Sequence, residues 1–296
     1  MFRPLAQPFW HPGAMPPPFY HGAAPLGVPM APHIGVPVRT VWAANLDAEM
    51  VSLRALAARA RFIAFAVHYP GVVFHAGAGA GAADHNTLTA GQRYAAIKAN
   101  ADALKPLQVG LAVATHDGRC LAWEFNLSGF DRAGGDPNDA GSVEYLVARG
   151  MDLDAHRSRG IPAGRLAGAL GGSGLLRRRD LTWICYAGAY HAAYLLKVVT
   201  DGQPLPGDVV GFLGAMQQLI GGEVYDVARM ARDCPDMPVG LERVASCLGL
   251  APALDSPRLA GAGAVLALQT FLSLVFGVFH GYVNMYRGLL QGLQVT

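Results

Sequence analysis

Apolar positions dominate one short stretch of this chain: Phe62-Ile63-Ala64-Phe65-Ala66-Val67 carries no polar residue on either face. Such a run reads as a strand buried on both sides, the centre of an α/β sheet. Pro70-Gly71 then breaks it. Upstream, Leu46, Met50, Leu53 and Leu56 recur at spacings of 4, 3 and 3, which marks one face of a helix, with Asn45 placed to cap it.

Downstream, the segment from His75 to Ala83 alternates Gly and Ala. Its Gly-x-Gly-x-Gly spacing is not that of a dinucleotide fingerprint, so it reads as a flexible low-complexity loop. Tyr94, Ile97, Ala101 and Leu104 mark a second helix, and 107–114 and 120–127 read as strands joined at His116-Asp117-Gly118, a hairpin signal. Residues 142–148 form a short helix closed by Gly150, and 181–186 another apolar strand. Helical patterns prevail from Tyr190 onward, including Leu241, Val244, Cys247 and Leu248. These elements predict one α/β domain with a mixed sheet of about five strands flanked by helices.

Composition adds a tail to this picture. Residues 1–37 hold ten of the twenty prolines, so the segment is expected to be disordered, with the domain over 38–292. Pro16-Pro17-Pro18 matches an SH3 or WW ligand, a plain solvated tail being the simpler reading. No apolar run follows Met1-Phe2-Arg3-Pro4, so no secretory signal is expected. Charged residues are 15% of the chain and the net charge is +2, which gives no nucleic-acid footprint by itself. Arg177-Arg178-Arg179 reads as a solvated loop. The cysteines Cys120, Cys185, Cys234 and Cys247 form no CxxC pair or zinc spacing, and buried free thiols are expected. From Leu259 to Tyr286 there is no Lys, Arg, Asp or Glu. That makes a transmembrane candidate by hydropathy. Gln269, Thr270, Ser273, His280 and Asn284 favour a buried terminal helix instead.

Several ordered blocks resemble the Caf-type (CCR-associated factor) deadenylases, nucleases of the DEDD class. They are Val41-Trp42-Ala43-Ala44-Asn45-Leu46, the Pro70-Gly71-Val72-Val73 turn, and the stretch from Tyr94 to Leu104 with Lys98, Asn100 and Asp102 in it. Gln108-Val109-Gly110-Leu111, Trp123-Glu124-Phe125-Asn126, Tyr225-Asp226-Val227 and Gly240-Leu241-Glu242-Arg243-Val244-Ala245 complete the set. The resemblance implies an RNase H-like fold and a family chemistry of poly(A)-specific 3′-to-5′ exoribonuclease action. There, four carboxylates hold two divalent ions, Mg or Mn, with a histidine as general base.

The positions to which the resemblance assigns that machinery carry other residues here. The first-motif Asp and Glu correspond to Ala66 and His68. The second-motif Asp corresponds to His191 within Gly188-Ala189-Tyr190-His191. The third-motif base and Asp correspond to Arg258 and Gly263. Ala and Gly offer no ligand, and imidazole nitrogen is a poor donor for Mg or Mn. The expectation is therefore a catalytically inactive homologue with no cofactor. By resemblance it would bind the CCR-NOT scaffold subunit and a partner nuclease, with poly(A) RNA as a further partner, in nucleus and cytoplasm. The alternatives are an active deadenylase with a non-standard site, a protein anchored in a membrane through 259–286, and a decayed duplicate without function. His68 and His191 are also considered as a zinc pair that lacks a third ligand, against the plainer reading of two neutral histidines filling a disused pocket.

Overall fold

A computed structural model of the chain describes residues 35–76, 88–250 and 259–293. The Pro-rich segment up to residue 34, most of the Gly-Ala loop, and Arg258 lie outside the described residues. In chain order the elements are β1 Val38–Val41, α1 Leu46–Ala57, β2 Ala60–His68, α2 Ala90–Ala103, β3 Gln108–Thr115 and β4 Cys120–Asn126. Then come α3 Ala140–Ala148, α4 Leu153–Arg159, α5 Ala163–Gly171, β5 Thr182–Cys185, α6 Gly188–Val199 and α7 Val209–Ile220. The chain finishes with β6 Glu223–Asp226, α8 Val227–Arg232, α9 Leu241–Cys247 and α10 Ala260–Ser273.

The strands form one six-stranded mixed sheet in the order β1-β4-β3-β2-β5-β6. The apolar run of β2 lies inside it, antiparallel to β3 and parallel to β5. The two strands missing from the sequence reading are the edges, β1 and β6. Each has only four residues and pairs with one neighbour, so neither shows a period of its own.

Side-chain size separates the two faces. Ile63, Phe65, Val67, Leu111, Val113 and Trp123 point into the larger core, shared with α1, α2, α6 and α7. Ala64, Ala112, Ala114 and Ala122 point the other way, with Phe62 and Ile184, towards α10. The small face lets α10 lie directly on the strands. At Gly110 a Cβ would overlap the carbonyl oxygen of Ala260, so only glycine permits this approach.

Most of the uncharged C-terminal stretch is this helix, while residues 279–286 leave it in turns, with His280 and Asn284 exposed and outside the helix expected for them. From Ala260 through the π-type segment Leu274–Val278 it is long and apolar enough to cross a membrane by length and composition. Its Ala264, Ala267, Leu268, Phe271 and Leu274 are buried in the second core. Packing against the sheet accounts for the apolar character, and the membrane-anchor alternative has no support.

Buried polar side chains bind the layers together. Asn100 of α2 accepts from Val73 N (2.7 Å) and Phe74 N (3.0 Å) and donates to the carbonyls of Phe74 (2.6 Å) and Ala96 (2.8 Å). It thereby pins the turn after β2. Gln108 donates to Asn126 Oδ1 (2.6 Å), its ladder partner, and Asn126 donates to the Val41 carbonyl on β1 (3.1 Å). Gln108 of β3 and Glu124 of β4 also cap α10, whose first N–H groups have no cap from Leu259. Glu124 accepts from Gly261 N (3.0 Å) and Gln108 from Ala260 N (3.3 Å). Asn45 behaves otherwise than expected. Its Oδ1 accepts from Trp42 N (2.7 Å), holding the turn before α1, and does not cap that helix. The four cysteines are free; Cys185 and Cys234 are buried, Cys120 half-buried and Cys247 exposed.

Candidate functional site

The carboxyl end of β2 gathers four of the five positions singled out in the sequence. Strand alternation turns Ala66 to the α10 face, where it packs on the second core. Gly263 lies opposite on α10, and a Cβ built there would sit 3.8 Å from Ala66 Cβ, in ordinary contact. His68 closes the strand two residues further on. His191 enters from the first turns of α6.

Strand lengths explain why His191 is there. Pairing between β2 and β5 ends at Ala64 and Ile184, where β5 runs into α6. Val67 is left without a strand neighbour on that side, and His191 takes the place of one. Its Nδ1 lies 3.0 Å from both Val67 N and Val67 O. Accepting from the N–H or donating to the carbonyl are the two roles open to it, set by the tautomer. Burial pushes the His191 pKa below its ordinary value, against the opposing pull of the Val67 carbonyl.

His68 has no such anchor. Its Nε2 is buried and makes no hydrogen bond. Burial pushes its pKa down to about 3, and the nearby His191 and the Arg149 guanidinium push the same way. Both imidazoles are therefore neutral near pH 7. An aromatic wall flanks them. Tyr69 stacks on Tyr194 at 4.5 Å and on Tyr190 at 5.4 Å, and meets His191 edge-on at 6.5 Å.

Each acidic group considered around this site is already engaged. Glu242 of α9 takes Arg149 at 2.7 Å. Glu124 holds the start of α10, and burial raises its pKa. Asp226 is fully buried and accepts four backbone N–H groups, from Ala187, Gly188 and Gln291 at 2.8 Å and from Ala228 at 3.0 Å. Burial raises its pKa while those donors oppose the shift. Among the described residues, no group of three His, Cys, Asp or Glu side chains is placed to hold a metal ion. Mg and Mn require several hard oxygens. Two neutral imidazoles, one committed to the backbone, with alanine and glycine opposite, do not fit either ion. They also leave the zinc pair without a third ligand.

The structure places Ala66, His68, His191 and Gly263 at one end of β2. Sequence reasoning missed the Arg149–Glu242 pair, whose members lie 93 positions apart, and no local signal links them.

Known proteins place the chain. The family described as CAF1 family ribonuclease matches residues 41–163. The probable CCR4-associated factor 1 homolog 5 of Arabidopsis thaliana is 32% identical over 242 residues, spanning 80% of this chain and 81% of that protein. The magnesium- and manganese-bound form of S. pombe Pop2p superposes with a TM-score of 0.77 at 29% identity, covering 87% of this chain and all of that one. Yeast CAF1 co-crystallised with the NOT1 MIF4G domain gives 0.69 at 24% identity, covering 86% and 96% of the two chains. The mixed sheet flanked by helices is accordingly the RNase H-like fold.

Proposed function

Because the chain belongs to the CAF1 family of ribonucleases, we propose that it keeps the family's docking role and has lost its metal-dependent hydrolysis. One observation carries this reading: the end of β2 presents Ala66, His68, His191 and Gly263, and the carboxylates of Glu124 and Glu242 are tied to the start of α10 and to Arg149. Water activation by a metal pair needs oxygen ligands that are absent from this arrangement.

Docking makes no such demand. It depends on a rigid surface, and the hydrogen-bonded frame of Asn100, Gln108, Glu124, Asn126 and Asp226 supplies the rigidity. The yeast relative co-crystallised with a NOT1 MIF4G domain supports a scaffold subunit of that kind as the partner, in competition with active relatives. The docking unit is the domain over residues 38–292, acting in nucleus and cytoplasm, with a partner nuclease as the second neighbour.

Incubation of the purified protein with 5′-labelled poly(A) and Mg or Mn tests the loss of hydrolysis. The tail is expected to keep its length. Shortening that a chelator abolishes overturns the proposal. A pull-down with a NOT1-type MIF4G domain tests docking, and retention is expected.

A further inference from the structure

We propose that the amino-terminal end of the sheet binds the phosphate backbone of single-stranded RNA through arginines carried on three neighbouring loops. The first loop leads into β2 and carries Arg59, with Arg61 just inside the strand. The second is the β3–β4 turn with Arg119. The third is the run Arg177-Arg178-Arg179 ahead of β5. Sequence scattered these residues, but the sheet assembles them. Ala60 pairs with Thr115 beside the hairpin turn, Phe62 pairs with Thr182 at the start of β5, and Arg178 donates to the Ala57 carbonyl at 2.5 Å.

Charge is concentrated here. Six arginines face two aspartates, a local balance of +4, in a chain whose total is +2. The remainder of the molecule therefore sums to −2. Asp117 engages Arg59 at 2.7 Å and Arg119 at 3.6 Å, and Asp180 engages Arg178. Exposed Arg177 and Arg179 make no salt bridge among the described residues, and Arg61, its guanidinium 5.8 Å over the Phe62 ring, acts on Asp180 only at longer range. Arg177 also adopts a left-handed φ of 60°. Glycine takes that conformation without strain, so the charge is held there at a conformational cost.

The chemistry favours phosphate over an acidic polypeptide. Guanidinium forks pair with planar anions and with phosphate alike. A protein partner, however, normally needs an apolar anchor at the centre of its interface. None of the large exposed apolar side chains lies on these three loops. A backbone binder needs only distributed positive charge. Arg61 and His68 stand seven positions apart on β2, about 23 Å along an extended strand. This surface is thus separate from the candidate site. The choice of RNA as the polyanion rests on membership of a ribonuclease family and is independent of the proposed loss of hydrolysis.

Fluorescence anisotropy with a labelled A-tract RNA of about 20 nucleotides, between about 50 and 200 mM salt, tests the proposal. Affinity is expected to fall steeply as salt rises. The triple variant Arg61→Ala/Arg177→Ala/Arg179→Ala should bind at least tenfold more weakly, with a log–log salt slope shallower by about 2, at about 0.7 per lost phosphate contact. These side chains are exposed, so an unchanged far-UV spectrum is expected, and the single charge reversal Arg179→Glu provides a milder check. Undetectable binding by the parent protein, or equal binding by the variants, overturns the proposal. Competition by polyglutamate as effective as by RNA of equal charge reassigns the surface to an acidic protein and also overturns it. RNA length is read in the same samples. Shortening with intact binding sinks the proposed loss of hydrolysis and leaves this surface standing.

Discussion

Asn100 closes four hydrogen bonds inside the molecule and Asp226 accepts four, whereas His68, at the end of the central strand, leaves its Nε2 with none. Asn100 and Asp226 are fully buried and His68 partly so, yet the Nε2 atom of His68 is itself shut off from solvent. A buried donor or acceptor without a partner costs about 1–3 kcal/mol. The frame avoids that cost at each of its linked positions. The end of β2 bears it. His68 neither completes a network nor belongs to a metal-binding group among the described residues.

The frame should be brittle. Asp226→Ala would leave four backbone N–H groups, that of Gly188 fully buried, without their acceptor at the junction of β5, α6, α8 and the C-terminal segment. We expect a loss of more than about 4 kcal/mol in urea unfolding, or failure to fold. Gly110→Val should follow, at about 3 kcal/mol, because its side chain would enter the space of the Ala260 backbone. Asn100→Ala is expected to cost about 2 kcal/mol by releasing Val73 and Phe74.

The pocket should respond in the opposite sense. His68→Leu removes an unpaired nitrogen and keeps apolar bulk, so stability should hold within about 1 kcal/mol of the parent or rise. If that variant loses as much as Asn100→Ala, the contrast between the regions collapses. Acid sharpens the same point. The folded pKa of His68 lies at about 3, below its ordinary value of 6.5. The unfolded chain therefore binds the proton first, and stability is full above about pH 6.5 and declines as pH falls towards 3. His68→Leu should flatten that decline between pH 6 and 4 by about 2.5 kcal/mol in denaturant titrations. An unchanged slope would show that His68 is not held neutral.

Much of the frame was legible in the sequence because its signals are local. The apolar run of β2, the helical spacing of α1 and the hairpin signal at His116-Asp117-Gly118 each depend on neighbours in the chain, and each element appears. The edges β1 and β6 were not legible, since four-residue strands exist only through the partner that pairs with them. Asn45 shows the limit of a residue preference: its side chain suits a cap, but the Trp42 N–H lies nearer and wins. Four positions of the candidate site were legible through motif framing, and the structure places them together. The Arg149–Glu242 pair and the arginine surface arise from tertiary approach alone.

The central claim is that the end of β2 no longer recognises hard divalent metal. Thermal unfolding of the purified protein with and without about 5 mM Mg or Mn reads this directly, because a ligand bound only by the folded state raises the melting temperature. We predict a shift below about 1 °C for either ion. A rise of several degrees, reversed by a chelator and insensitive to equal ionic strength of a monovalent salt, would contradict the account.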